Sequence, residues 1–168
     1  MSTLPATCLQ LRSLITADGG FELRLHEMPL PLPVADDEVL LRVEATPVNP
    51  SDIGLLFGAA DLSTIQVSGS GADAVVRARV PDAARPAMAA RAGQALPVGN
   101  EGAGTVVAAG AGTAAQALLG RRVAAIGGAM YAQYRVVKVD QTLPLPAGAT
   151  AEQGASCFVN PLTALGMV

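Results

Sequence analysis

Residues 96–112 read LPVGNEGAGTVVAAGAG. Gly99, Gly102, Gly104, Gly110 and Gly112 bracket one short apolar run at 105–109. Glycine is used where the backbone needs positive φ or where another chain comes close. Thr105, Val106 and Val107 are β-branched, which predicts a strand over 105–109 with a glycine hinge at each end. The polar side chains here are few: Asn100, Glu101 and Thr105. A charged Glu101 set into a glycine hinge reads as part of a site, not as a surface loop.

The strands on either side follow the same logic. Upstream, residues 7–15 alternate apolar and polar, Ala17-Asp18-Gly19-Gly20 signals a turn, and 21–25 alternate again, which predicts a hairpin. Residues 28–33 hold three prolines and are extended, but cannot form a central strand. Residues 38–45 give the clearest strand, with Val39, Leu41, Val43 and Ala45 on one face and Leu40, Arg42 and Glu44 on the other. Ser51 or Asp52 is expected to cap a short helix that ends at Gly58. Downstream, 121–126 and 132–139 are predicted strands joined through Gly127 and Gly128. Thr150 is expected to cap a helix that starts at Ala151 and runs past Asn160 and Pro161 to Val168. That helical pattern ends without a C-cap or polar tail, so the chain is expected to continue.

Residues 59–95 differ in kind. They are rich in Ala, Gly, Ser and Arg, and periodicity is weak outside 74–80. Two readings stand: a solvated excursion, or an anion-binding flap using Arg77, Arg79, Arg85 and Arg91. The summed pattern is about seven short strands with Gly and Pro turns, which favours a barrel or sandwich over a parallel sheet.

Composition narrows the function. The 168 residues suffice for one domain, and 51% hydrophobic against 15% charged content supplies a packed core. A net charge of −3 argues against a general nucleic-acid partner. No apolar run reaches the ~18 residues of a membrane span, and the N-terminus lacks a secretory pattern, so a cytoplasmic protein is expected. Cys8 and Cys157 match no disulfide or metal spacing and are read as reduced thiols. His26 is the one histidine, placed in a strand, so no zinc site is expected. Gly110-Ala111-Gly112-Thr113-Ala114-Ala115 imitates a dinucleotide fingerprint. Gly120 cuts off the helix that would follow, and no acidic residue stands about twenty residues on, so it is read as a tight turn.

Five motifs occur in one order: Val48-Asn49-Pro50-Ser51-Asp52, Gly99-Asn100-Glu101-Gly102-Ala103-Gly104, Gly120-Arg121-Arg122-Val123-Ala124, Tyr131-Ala132-Gln133-Tyr134 and Asn160-Pro161-Leu162-Thr163-Ala164. In these the chain resembles the medium-chain dehydrogenase/reductase superfamily. It is most similar to the zinc-independent branch of quinone oxidoreductases and 2-enoyl thioester reductases. The zinc-dependent members carry cysteine and histidine where this chain has Val48-Asn49 and Asn100.

The resemblance implies a mainly β, GroES-like, partly open β-barrel with a few short helices. Residues 1–150 would form this catalytic domain, with 59–95 as an insertion or loop. Residues 151–168 would start the helix leading to a Rossmann domain outside this chain. It also implies NADPH in the cleft between the domains and hydride transfer to a quinone or activated alkene, with a small-molecule substrate, no membrane or nucleic acid, and a possible homodimer.

Asn49 and Asp52 would line the cleft under the nicotinamide, with Asp52 also a candidate catalytic residue beside Tyr131, and Thr163 would bond the carboxamide with Asn160 nearby. Asn100 and Glu101 would form a hydrogen-bonded brace at the former metal position. Enoyl thioester reductases place a tyrosine after the helical turn that follows Asn-Pro-Ser-Asp; this chain has Phe57-Gly58-Ala59-Ala60-Asp61 there. The proton would then come from Tyr131 first, or from Asp61 or solvent, and residues 59–95 could reshape the pocket, cover it or make a subunit contact. Two other readings remain: a non-catalytic NADPH-binding or structural protein on the same scaffold, and a small barrel module complete in itself.

Overall fold

The computed structural model describes residues 3–167. The predicted hairpin forms from β1 (Thr7–Ile15) and β2 (Gly20–Pro29), and β3 (Glu38–Ala45) follows as expected. After α1 (Pro50–Phe57), residues 59–95 depart from the expectation of a loop. They contain β4 (Asp61–Ser68), β5 (Val75–Arg79), α2 (Arg85–Met88) and short 3-10 turns. β5 pairs with β2 and carries β4 on its outer side, so the excursion widens a sheet. Its Ala78 and Val80 are buried in the core with Phe21, Leu56 and Val98.

The remaining strands are β6 (Ala95–Pro97), β7 (Glu101–Ala109), β8 (Arg122–Ile126), β9 (Tyr134–Lys138) and β10 (Thr142–Pro144), with α3 (Thr113–Gln116) between β7 and β8. α4 (Ala151–Gly154) and α5 (Val159–Leu165) close the chain. The named strands form two five-stranded antiparallel sheets, in the orders β4-β5-β2-β1-β6 and β10-β8-β7-β3-β9. Residues 131–133 join them. Leu11 N–H donates to Tyr131 O (2.8 Å) and Gln133 N–H to Leu9 O (2.9 Å), while Val43 N–H on the other sheet donates to Gln133 O (3.0 Å). The result is a barrel closed on one side only.

β7 begins at Glu101, four residues before the expected start, and Gly102 and Gly104 lie inside it. The reason is the neighbouring strands: Glu101 and Gly102 pair with Ile126 and Ala125 of β8, and Ala103 and Gly104 pair with Ala45 and Val43 of β3, whose register shifts between Val43 and Ala45. A Cβ on Gly104 would lie 1.9 Å from the Arg42 carbonyl oxygen. Glycine there permits strand pairing and is not a hinge. Gly110 and Gly112 donate backbone N–H groups to Glu38 O and Asp36 O, and added Cβ atoms would strike Ala35 O and Asp36 O at 2.0 and 2.5 Å. The apparent fingerprint is thus a close-packed turn.

The expected two-faced reading of β3 holds only in part. Val39 and Leu41 are buried in the core shared with β7, β8 and β9; on the other face Leu40 is buried as well, while Arg42 and Glu44 are exposed. Thr150 caps α4 as expected, its hydroxyl accepting from Gln153 N–H and the Gln153 side chain reaching back to Thr150 N–H. The expected single helix instead stops at Gly154, and α5 starts afresh at Val159; its expected end at Val168 lies outside the described residues. Among the described residues no helix is long and apolar enough to cross a membrane. Cys8 and Cys157 are free thiols.

Candidate functional site

The site forms where α1, β7 and α5 meet. The cap of α1 is Asn49, not Ser51 or Asp52, because Pro50 takes the first helical position. Asp52 sits in the first turn and its Oδ2 accepts from Asn49 N–H at 2.8 Å, as in a capping box. Asp52 N–H donates to the Asn49 carbonyl oxygen at 2.9 Å. That leaves the Asn49 side-chain amide to bond elsewhere. Its Nδ2 donates to Glu101 Oε1 at 2.9 Å, and its Oδ1 accepts from Asn160 Nδ2 at 3.0 Å.

Glu101 is 0% exposed. Its Oε2 accepts from the backbone N–H groups of Phe158 (2.7 Å) and Val159 (3.1 Å). A buried carboxylate with both oxygens occupied therefore ties β7 to the cap of α1 and to the start of α5. The same contact explains the helix break, since the first amides of α5 turn inward to Glu101. Asp52 Oδ1 accepts from Asn100 N–H at 3.0 Å, and Asn100 Nδ2 donates to Ser51 Oγ at 3.0 Å. Asn100 and Glu101 thus sit in one hydrogen-bonded assembly with α1. Among the described residues no group of three His, Cys, Asp or Glu side chains is placed to hold a metal ion.

The residues singled out from the sequence come together in unequal degree. Asn49, Asp52 and Asn160 join one network. Asn49 and Asp52, expected to line the cleft under the nicotinamide, are 2% and 0% exposed. Their polar atoms are taken up by protein partners, so they support the surface from beneath. Thr163 stands one turn after Asn160 on α5, exposed, with its hydroxyl donating to Val159 O at 2.6 Å. Around these groups Val48, Ile53, Leu162 and Leu165 expose apolar side chains.

Tyr131 packs beside Gly99 and its hydroxyl donates to Pro47 O at 2.8 Å. Burial first, and then the negative charge of Asp52, push the Tyr131 hydroxyl up to about 12. Asp61 lies exposed at the start of β4, where hydrogen bonds from Ser63 hold its carboxyl below the usual range. A phenol kept neutral by the fold contributes stability that is complete below about pH 10, its ordinary pKa, and is lost as the pH rises toward 12. Urea unfolding across that window is expected to show falling stability in the native protein and a shallower fall in Tyr131→Phe. Equal slopes would mean that the hydroxyl is not held neutral.

The arginines of residues 59–95 do not converge on one anion. Arg77 pairs with Glu22 at 2.9 Å, Arg85 with Asp82 at 3.0 Å, and Arg91 donates to Ser13 Oγ at 3.2 Å. A cavity of ≈ 400 Å³ there is lined by Asp18, Asp61 and Asp82 as well as Arg79 and Arg85, so its charge is mixed. The sequence pointed to neither Ser51 as a partner nor the Phe158 and Val159 amides. The Asn-Pro-x-Asp pattern, with proline at N1 and an acid at N3, is the signal that identifies Asn49 as the cap.

Two antiparallel sheets joined along one side, with helices packed around the Asn49–Glu101–Asn160 network, define a GroES-like domain. The alcohol dehydrogenase GroES-like domain pattern matches residues 35–147, and the chain belongs to that family, within the medium-chain dehydrogenase/reductase superfamily. No curated protein matches the chain. Among solved structures, it is similar to a Mesorhizobium loti protein assigned as an NADPH:quinone reductase, with 26% identity and a TM-score of 0.65 over 99% of this chain and 44% of that one. An Escherichia coli quinone oxidoreductase complexed with NADPH shares the fold at 20% identity and a TM-score of 0.61, over 96% of this chain and 40% of that one. The CurK enoyl reductase does so at 20% identity and 0.64, over 96% and 42%. The chain spans less than half the length of each of these proteins.

Proposed function

We propose that the chain is the catalytic domain of a zinc-independent, NADPH-dependent oxidoreductase that reduces a quinone or an activated alkene such as an enone or enoyl thioester. The carrying observation is the Asn49–Glu101–Asn160 network. At the positions where the resemblance would put metal ligands, Asn49, Asn100 and Glu101, the side chains are taken up by hydrogen bonds to protein partners, and amide nitrogens that donate hydrogen bonds are not metal ligands. The similarity to quinone and enoyl reductases supports the same reading. A nucleotide-binding domain beyond residues 151–168 would hold most of the cofactor.

The residues present fit a nicotinamide. Asn160 and Thr163 offer exposed polar atoms on one face of α5, and the neighbouring Val48, Ile53 and Leu162 offer apolar contact for a flat ring. When bound, NADPH supplies the hydride. This chain's part is to bind and orient. Asn160 and Thr163 meet the carboxamide, while Asn49, Asp52 and Glu101 act as positioning residues from below. Tyr131 is a poor proton donor in this geometry, because its hydroxyl is engaged by Pro47 O and its pKa is raised. Asp61, held as a carboxylate, is no better, so solvent delivers the proton to the reduced substrate.

The test is NADPH oxidation by the full protein across a panel of quinones, enones and enoyl thioesters, with and without a chelator. Turnover with at least one acceptor, unchanged by chelator, is expected. Loss of turnover on chelation would overturn the metal-free reading. The engaged Tyr131 hydroxyl favours one second reading, a non-catalytic NADPH-binding protein on this scaffold. NADPH binding with no turnover across the panel would establish it.

A further inference from the structure

We infer that Glu101 sets the hydrogen-bond polarity of the ligand-facing edge of α5, so that the site accepts a primary amide and rejects a carboxylate at the same place. The inference rests on the nicotinamide reading above and adds to it how the carboxamide is selected. A carboxylate can accept hydrogen bonds but not donate them to Asn49. With Oε1 of Glu101 facing it at 2.9 Å, the Asn49 amide must present Nδ2 to that side. Its Oδ1 is then left to face Asn160, and Asn160 must answer with Nδ2, at 3.0 Å. Each amide in the relay is fixed by the one before it. The outcome is that Asn160 Oδ1 is the free oxygen, and among the described residues no donor reaches it.

Thr163 lies three residues on, on the same side of the helix. Its hydroxyl hydrogen is spent on Val159 O, so its oxygen too faces outward as an acceptor. The exposed edge of α5 therefore presents two oxygens. A ligand –NH2 group has two N–H donors to match them. A carboxylate would bring lone pairs against lone pairs.

Glu101→Gln inverts the relay while keeping every bond. The carbonyl oxygen of the substituted side chain can still accept from Phe158 and Val159, and its –NH2 then faces Asn49. Asn49 flips to present Oδ1, Asn160 flips in turn, and Asn160 Nδ2 becomes the outward group.

The test compares binding of NADP+ and of nicotinic acid adenine dinucleotide phosphate, which differ in carboxamide against carboxylate, by titration calorimetry on the full protein. The native protein is expected to favour NADP+ by at least tenfold, with Glu101→Gln shrinking that preference by about tenfold. Asn160→Leu, at an exposed position, is expected to abolish it and guards against a folding defect in the first variant. If both nucleotides bind the native protein equally, or if Glu101→Gln binds both and keeps the full preference, the relay is overturned while the nicotinamide reading stands. If neither nucleotide binds, that reading fails and the inference with it.

Discussion

Gly104→Ala is expected to destabilise the native fold severely. The added Cβ would sit 1.9 Å from Arg42 O and 2.9 Å from its carbonyl carbon, with Val43 Cα at 3.0 Å. All three are backbone atoms, so no rotamer change relieves the overlap. β3 and β7 lie at the centre of the second sheet, and between them they carry Val39, Leu41 and Val106 of its core. Separating them by more than an ångström would also disturb the irregular stretch of β3 whose Val43 N–H bonds to Gln133 and joins the two sheets. The expected cost is on the order of 4 kcal/mol or more, in the range of severe core disruption. Gly54→Ala is the matched control: it is helical and exposed, and a Cβ added there would meet nothing within 4 Å. It is expected to leave stability unchanged or raise it by about 0.5–1 kcal/mol. Urea unfolding of the two variants side by side checks this, and comparable midpoints would mean that the sheet can relax around a methyl group.

Gly104 also shows where sequence reading stops. Alternation is a local signal, so β1 and β3 were legible to the residue from Thr7–Ile15 and Glu38–Ala45. What Gly102 and Gly104 do depends on a β3 backbone some sixty residues earlier in the chain, and glycine alone reads equally as hinge or close approach. β4 was illegible for a different reason. It is an edge strand, bulged between Asp61 and Gln66 and exposed along most of its length, so burial imposes no alternation on it. The break between α4 and α5 was hidden because residues 151–168 keep an apolar helical pattern, while the break is imposed by a carboxylate on another strand.

The site follows the same division. Its residue types were readable: Asn49, Asp52, Asn100, Glu101, Asn160 and Tyr131 all stand out as polar groups in apolar or glycine-rich context. Apart from the local Asn49–Asp52 cap, their connections were not, since the bonds between elements span about fifty residues or more. Depth was not legible. A polar residue beside prolines and glycines reads equally as a turn residue or as a satisfied core hydrogen bond, and Asn49 and Asp52 are buried because protein partners satisfy them.

Glu101→Leu is expected to separate that buried support from ordinary packing. Leucine has nearly the right volume, so little is lost in contact. Three donors lose their acceptor at once: Asn49 Nδ2 and the Phe158 and Val159 amides. A buried donor left unpaired costs about 1–3 kcal/mol. The two backbone amides are only partly buried and can turn toward water, so the sum is expected near 3–5 kcal/mol, not the full triple. Glu101→Gln keeps an oxygen for the backbone amides and a partner for Asn49, and is expected to cost about 1 kcal/mol. The comparison by urea unfolding decides between a hydrogen-bonded brace and a merely well-filled site: leucine at or above the stability of glutamine would reject the brace. Hydrogen exchange gives a local reading of the same change. In Glu101→Leu the Phe158 and Val159 amides should exchange much faster while the β3 amides keep their protection, because losing the brace frees the start of α5 before it loosens the sheets.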